Sequence, residues 1–238
     1  MKKYLVYDVP TRMFHWLFAG LFITAFVIAK TIDDESGLFP LHMMAGLTLL
    51  FLICLRVIWG IVGSRHAKFS GFALNPFKLM EYFKGIASNE KQFWAGHNPA
   101  SSWAAVAMLI LGLGLGVSGI LMTSGQKETF EDFHELVANA FIIVVASHIL
   151  GILIHTLRHK DLIGLSMIDG KKTHVTEADS INAKHAWVGG ALLLMVFLFA
   201  SFIYTQYDAS TGKLRIFGQQ LVLSDVSDVE DKRESESN

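Results

Sequence analysis

The segment from Phe133 to Lys160 reads as one long apolar helix that carries His134, His148 and His155. A helix of this length can cross a bilayer, and a histidine inside it usually faces a bundle interior or a bound group. His134 and His148 are 14 residues apart, which places them roughly 21 Å apart along the axis and on nearly one face. One histidine toward each side of the membrane predicts two stacked haem groups, so other spans must supply two more histidines.

The composition of the chain supports a membrane protein. The hydrophobic fraction is 52% and the charged fraction only 17%, which is typical of a helical membrane bundle. The net charge of −1 gives no indication of a nucleic-acid partner. Cys54 is the only cysteine, which excludes intrachain disulfides, covalent haem attachment through CxxCH and a cysteine-ligated iron–sulfur cluster. No cleavable signal peptide is expected, and the first apolar segment is interpreted as a retained span.

Hydrophobic runs predict five transmembrane helices, at about residues 12–29, 41–62, 103–122, 133–160 and 186–204. The Asp8-Val9-Pro10 sequence predicts the start of the first one. A short interfacial helix is expected from Asn75 to Ile86, where apolar residues alternate with Lys and Glu. Residues 208–238 are predicted to form a polar, partly disordered tail.

The distribution of charge predicts an orientation. With five spans, the N-terminus and the connections 64–100 and 158–185 share one side and hold most Lys and Arg residues, whereas the loops 30–40 and 124–132 are acidic. The positive-inside rule puts the basic side in the cytoplasm. The tail then lies outside, in the periplasm of a Gram-negative bacterium.

This orientation pairs the histidines by depth. His42 begins the second span on the outer side, where His134 also lies, and together they predict an outer haem site. His15 lies near the cytoplasmic start of the first span and predicts an inner site with a partner on the fourth span. Both His148 and His155 fit that partner, because they are seven residues apart and lie on nearly the same face. Depth alone does not decide between His148 and His155 as the partner of His15.

Three further residues are candidates for cofactor contacts. Arg56 lies well inside the second span, where it needs a partner such as a haem propionate, unless it snorkels to the interface. Arg12, in the first turn or so of the first span, is a candidate for an inner propionate. His97 precedes the third span and either lines a head-group pocket or is a simple loop histidine. Glycines 112, 114, 116 and 119 allow close helix packing or leave room for a flat macrocycle.

Taken together, these segments resemble the bacterial cytochrome b561 and nickel–iron hydrogenase b-type cytochrome family of di-haem membrane proteins. The resemblance covers roughly residues 5–175 and rests on four segments: DVPTRMFHW at 8–16, LHMMAGLTLLFLICLRVIWGIVGSRHAKF at 41–69, GHNPAS around His97, and HELVANAFIIVVASHILGILIHTLRHKDLI at 134–163. The set of motifs is specific, whereas any one of them alone is weak.

The resemblance implies an all-α integral membrane bundle with a four-helix core and two non-covalent b haems. It implies four iron ligands, His42 and His134 for the outer haem and His15 and His148 for the inner haem, and so favours His148 over His155. His97 and His155 become candidate haem-edge or quinone contacts. Residues 1–175 would form the di-haem domain, 176–207 an additional transmembrane helix and 208–238 the tail.

The function that the resemblance implies is electron transfer across the bacterial inner membrane, between the quinone pool and a redox partner such as a hydrogenase or a periplasmic cytochrome c. Both a subunit of an oxidoreductase and a freestanding quinone-linked oxidoreductase are compatible with it. A proton or metal-ion transporter using intramembrane histidines is the alternative, but it leaves the matched depths of the histidines unexplained. A membrane anchor for a peripheral enzyme overlaps with the first interpretation.

Overall fold

The computed structural model describes residues 2–88, 90, 92–216 and 218–224, and most of them are helical. Five long helices dominate: α1 (Val9–Thr31), α2 (Pro40–Val62), α4 (Pro99–Leu121), α5 (Lys127–His159) and α7 (Ala186–Gln206). Two shorter helices are α3 (Pro76–Ala87) and α6 (Ser166–Asp169). The five long helices lie at the positions predicted from the hydrophobic runs.

Among the described residues, four helical stretches are long and apolar enough to cross a membrane. Three are α1, α2 and α7, and the fourth is the stretch Pro99–His159, which contains α4 and α5 with a kink between them. A π-helical turn, Met122–Gln126, joins these two helices, and Gly125 there has a φ angle of 96°. Left-handed backbone of this kind favours glycine. A helical membrane bundle is therefore present, and the count of five spans stays a prediction.

By contacts, the chain divides into two compact units. The first unit comprises Met1–Trp16, Ile53–Leu111 and Asn139–Leu193. The second unit comprises Leu17–Leu52, Gly112–Ala138 and Leu194–Asn238.

The first unit contains a short antiparallel strand pair, β1 (Tyr4–Leu5) with β2 (Lys171–Lys172), in which Tyr4 faces Lys172. The carboxylate of Asp8 is fully buried and accepts a hydrogen bond from the Thr11 backbone N–H at 2.9 Å, so it caps α1 as predicted. Its second oxygen accepts a bond from the Trp59 indole N–H at 3.2 Å. The interfacial segment forms α3, whose first turn is capped by the Asn75 side chain.

The second unit contains a three-stranded antiparallel sheet that directly follows α7. Its strands are β3 (Tyr207–Asp208), β4 (Lys213–Ile216) and β5 (Gln219–Val222), in the order β3-β4-β5. The prediction of a polar, partly disordered tail from residue 208 did not include this sheet. The physical reason for the sheet is the alternation of exposed and buried residues along β4, which places one apolar face on a core. The rest of the tail, from residue 225, lies outside the described residues.

Candidate cofactor sites

The second unit brings His42 and His134 together. The centroids of the two imidazole rings are 6.3 Å apart, and the ring planes meet at 70°. His42 is the third residue of α2, and its ring stacks on Phe39 at 5.4 Å. The structure therefore assembles the predicted outer pair from two different helices.

Both rings of this pair have their Nδ1 atoms engaged. His42 Nδ1 lies 2.8 Å from the carbonyl oxygen of Ala25, and because a carbonyl can only accept, this nitrogen carries the proton. His134 Nδ1 lies 2.8 Å from Ser118 Oγ, whose own hydroxyl is placed to donate to Gly114 O at 2.8 Å. Ser118 Oγ then accepts from His134. In this arrangement both Nε2 atoms keep a lone pair for a metal ion.

The donor chemistry of this pair fits a haem iron. Metal–imidazole bonds are about 2 Å long, so two rings that shared one metal ion would have centroids at most roughly 6 Å apart. A histidine that binds a metal through one ring nitrogen usually donates a hydrogen bond from the other ring nitrogen, as His42 and His134 do here. Gly119 leaves room beside His134, since a Cβ atom there would lie 3.7 Å from the ring.

The first unit contains both His15 and His148. His15 Nδ1 is buried and has no hydrogen-bond partner among the described residues. The ring of Trp16 contacts the ring of His15 edge-on at 5.1 Å. A buried imidazole nitrogen without a protein partner leaves a donor or acceptor for a bound group, so His15 also fits a haem site.

Arg56 is buried in the first unit, at 5% exposure. Its Nη2 donates to the carbonyl of Ala67 at 3.0 Å, and its guanidinium lies 4.8 Å from the centroid of the Phe69 ring. Nη1 is buried and lacks a hydrogen-bond partner among the described residues. A buried guanidinium with a spare donor fits a carboxylate such as a haem propionate.

Arg12 has a different environment. Its Nε donates to Asp8 O at 3.3 Å, and its Nη1 donates to the carbonyl of Ile168. These bonds attach the first turn of α1 to α6. The candidate role of Arg12 at an inner propionate stays a prediction.

His97 lines a cavity of about 280 Å³ together with Arg65, His66, Gly71, Ala73, Trp94, Ala95, Gly96 and Asp179. Its ring lies 4.7 Å from the ring of Phe72 and 5.5 Å from that of Tyr7. Burial, and then the charges of Lys172 and Arg56, lower the pKa of His97 to about 3. His97 is therefore neutral at physiological pH and can offer hydrogen bonds to an uncharged ligand.

His155 stacks on His159, with ring centroids 4.1 Å apart and planes 12° from parallel. The carbonyl of His155 accepts a hydrogen bond from His159 Nδ1 at 3.1 Å, and Phe93 contacts the His159 ring at 5.3 Å.

Within the described part of the chain, no group of three or more His, Cys, Asp or Glu side chains is arranged to hold a metal ion.

Comparison with known proteins identifies the family. The model of the family described as prokaryotic cytochrome b561 matches residues 6–170. The chain belongs to the prokaryotic cytochrome b561 family. Membership of this b-type cytochrome family implies haem b and electron transfer in a membrane. The predicted family resemblance is confirmed.

Three relatives of this cytochrome b561 family member are similar at low identity. The "Probable Ni/Fe-hydrogenase 1 B-type cytochrome subunit" of Escherichia coli K12 is 22% identical, covering 53% of this chain and 63% of the relative. The "Probable Ni/Fe-hydrogenase B-type cytochrome subunit" of Bradyrhizobium diazoefficiens is 22% identical, covering 70% of this chain and 85% of the relative. The protein of the same name from Rhodobacter capsulatus is 27% identical, covering 45% of this chain and 50% of the relative. The chain thus spans less than two thirds of the Escherichia coli relative. No solved structure matches the chain.

Sequence reasoning missed two groups that contact the candidate pair His42 and His134, namely the Ser118 hydroxyl and the Ala25 carbonyl. Ser118 is 1% exposed and is the only serine of α4 after its first turn, which contains Ser101 and Ser102. A lone serine in an apolar span was the available signal, since a buried hydroxyl needs a partner. No sequence pattern distinguishes the carbonyl of Ala25 from those of its neighbours.

Proposed function

We propose that this cytochrome b561-family protein carries electrons across a bacterial inner membrane through two b haems, between the quinone pool and a redox partner protein. Haem supplies one-electron redox chemistry when bound. The protein's own residues hold the iron, orient its ligands and balance the charge of the propionates.

The observation that carries the proposal is the His42–His134 pair. Its ring separation of 6.3 Å and its two engaged Nδ1 atoms suit bis-imidazole ligation of one iron. Two histidines from facing helices are a common way to hold haem in a bundle. A structural pair in an apolar bundle has no need for two free Nε2 lone pairs.

The second haem is proposed for His15 and His148. The unpartnered His15 Nδ1 and the spare donor of Arg56 support this assignment, because both would gain partners from a bound group. Arg56 is proposed to contact a propionate of this inner haem, and Arg12 is a second candidate. His148 is preferred over His155 because the 14-residue spacing from His134 is the pattern of the family.

The redox partner is proposed from the relatives. All three relatives are named as probable hydrogenase b-type cytochrome subunits. A hydrogenase is therefore the first partner to test, and a periplasmic cytochrome c is the second. Quinone is proposed as the small-molecule substrate. His97, neutral and lining a cavity, is a candidate to bind its carbonyl oxygen, and His155 is a second candidate contact.

The proposal is tested by haem content. Protein produced in a haem-sufficient host should contain two haems b per chain, measured by the pyridine haemochrome assay against protein mass. His42→Ala or His134→Ala should each remove chiefly the outer haem, and His15→Ala or His148→Ala chiefly the inner one. A redox titration of each variant identifies the haem that remains.

His155→Ala is the matched control, because it removes a histidine from the same helix as His134 and His148. It should leave two haems. Haem-free wild-type protein that conducts ions in proteoliposomes would overturn the proposal in favour of a transporter. Intact haem content in all four ligand variants would overturn the ligand assignment.

A further inference from the structure

The sheet formed by β3, β4 and β5 has one buried apolar face. Leu214 and Ile216 of β4, Leu221 of β5 and Leu223 form a core with Ile203 of α7. Leu214 and Ile203 are fully buried, at 0% exposure. The sheet thus packs on the helices of the second unit through a compact apolar core.

The helix residues that contact this core lie next to the outer histidine pair. They are Met43, Met44 and Leu47 of α2 and Ile120 of α4; Phe199 of α7 and Tyr207 of β3 also pack on the core. Met43 directly follows His42, and Ile120 lies two residues after Ser118, which contacts His134. β5 also contacts the π-helical turn Met122–Gln126 that leads into α5.

His42 lies at the very start of its helix. It is the third residue of α2, and its backbone N–H donates to the carbonyl of Phe39, just before the helix, at 2.8 Å. Because no full helical turn precedes His42, the position of its ring depends on how the start of α2 packs. His134 depends on Ser118, which lies one turn before the end of α4. Apolar burial against Met43, Met44 and Ile120 holds both of these helix ends in place.

We propose that the β3–β5 sheet positions the outer haem ligands by bracing the start of α2 and the end of α4. Leu214 and Leu221 are the positioning residues. The sheet lies beyond residues 6–170, the part of the chain that the family model matches. It is therefore an addition to the part that the family shares. This inference rests on the proposed assignment of His42 and His134 as ligands of one haem.

The test uses the full chain with Leu214→Ala and Leu221→Ala, each of which removes buried core volume. Lys213→Ala is the matched control, because Lys213 is an exposed neighbour on the same strand. Haem content, redox titration and carbon monoxide binding to the reduced protein are measured. A six-coordinate haem does not bind carbon monoxide until one of its ligands releases the iron.

In both leucine variants we expect the outer haem to fall in occupancy by about twofold or more, with a shifted midpoint potential and new carbon monoxide binding in what remains. The inner haem should be unchanged in both, and Lys213→Ala should match wild type. An unchanged outer haem in both leucine variants overturns the inference.

Equal loss of both haems in Leu214→Ala and in the milder Leu214→Val also overturns it, because the sheet would then support the whole fold without any preference for the outer pair. His42→Ala, analysed in parallel, separates the two proposals. If His42→Ala removes the outer haem and the leucine variants do not affect it, only the inference about the sheet fails. If His42→Ala removes no haem, the proposed ligand assignment fails.

Discussion

Ser118 is the residue through which the protein would tune the proposed outer haem site. Its Oγ accepts a hydrogen bond from His134 Nδ1 at 2.8 Å, and such a bond makes the imidazole a stronger electron donor to iron. If His134 is a ligand of the proposed outer haem, we expect Ser118→Ala to raise the midpoint potential of that haem, because a weaker imidazole donor stabilises the ferric state less. A lost hydrogen bond of about 1 kcal/mol corresponds to roughly 40 mV for a one-electron couple.

The measurement is a potentiometric titration of the α band, with the inner haem as an internal reference. Ser118→Thr keeps the hydroxyl group and should restore a potential close to that of wild type. A potential that shifts equally in the Ala and Thr variants would contradict a hydrogen-bond effect and would point to packing.

The sequence marks the four histidines and Arg56 as candidates, because a polar or charged residue within or at the end of an apolar span is costly. Their roles stay predictions. The contacts of those residues could not be predicted. Ala25 lies 17 residues from His42, and Ser118 lies 16 residues from His134. Such contacts depend on how helices pack, and periodicity along a single helix contains no information about its neighbour.

The β1–β2 strand pair contains a buried cation, Lys172, at 8% exposure. Its Nζ donates to the carbonyl oxygens of Gly96 at 2.7 Å and Trp94 at 3.4 Å, and it lies 5.0 Å from the Tyr7 ring centroid. Burial lowers the pKa of Lys172 from 10.5 to about 8, against the opposing influence of Asp161.

This lowered pKa predicts that the protein becomes more stable as the pH rises above 8. Between pH 8 and 10.5 the unfolded chain binds a proton at Lys172 that the folded chain has released, so the free energy of unfolding increases with pH. The full gain is about 3 kcal/mol at 1.36 kcal/mol per pKa unit. Tyr7, whose pKa is raised by burial, begins to oppose this gain only above pH 10.

The measurement is the thermal unfolding midpoint in detergent at pH 8 and pH 10, for wild type and for Lys172→Met. The upward shift of the midpoint between these two pH values should be larger in wild type than in the variant. Lys171→Met, an exposed neighbour on the same strand, serves as the control and should behave like wild type. Equal shifts in all three proteins would contradict the prediction.

The helices were easier to predict than the strands. Apolar length located the five long helices, and the Asn75-Pro76 pair located α3, because a side-chain cap followed by proline favours a helix start. The sheet was missed although residues 213–216 alternate, reading KLRI, and Gly218 with its φ of 78° permits a tight hairpin. Its strands are four residues long or shorter. Alternation over so few residues is a weak signal for a strand, especially next to an acidic, polar sequence.

At the scale of the whole molecule, the asymmetry of charge along the chain is the main guide to membrane orientation. The connection between α2 and α4 contains Arg65, Lys68, Lys78, Lys84 and Lys91, whereas the loop between α1 and α2 contains Asp33, Asp34 and Glu35. Together with five spans, the positive-inside rule predicts a cytoplasmic N-terminus and a periplasmic C-terminus. Four spans would instead place both termini on one side.

Cysteine labelling distinguishes the two counts. In a Cys54→Ser background, the exposed positions Lys78 and Ala209 are replaced one at a time by cysteine. With a membrane-impermeant maleimide added to intact cells whose outer membrane is permeable, we expect Ala209→Cys to be labelled and Lys78→Cys to react only after lysis. Because Lys78 precedes α4 and Ala209 follows α7, five spans put an odd number of crossings between them, namely three. Labelling of both positions from the same side would require an even number, and would mean that α4 and α5 do not cross separately.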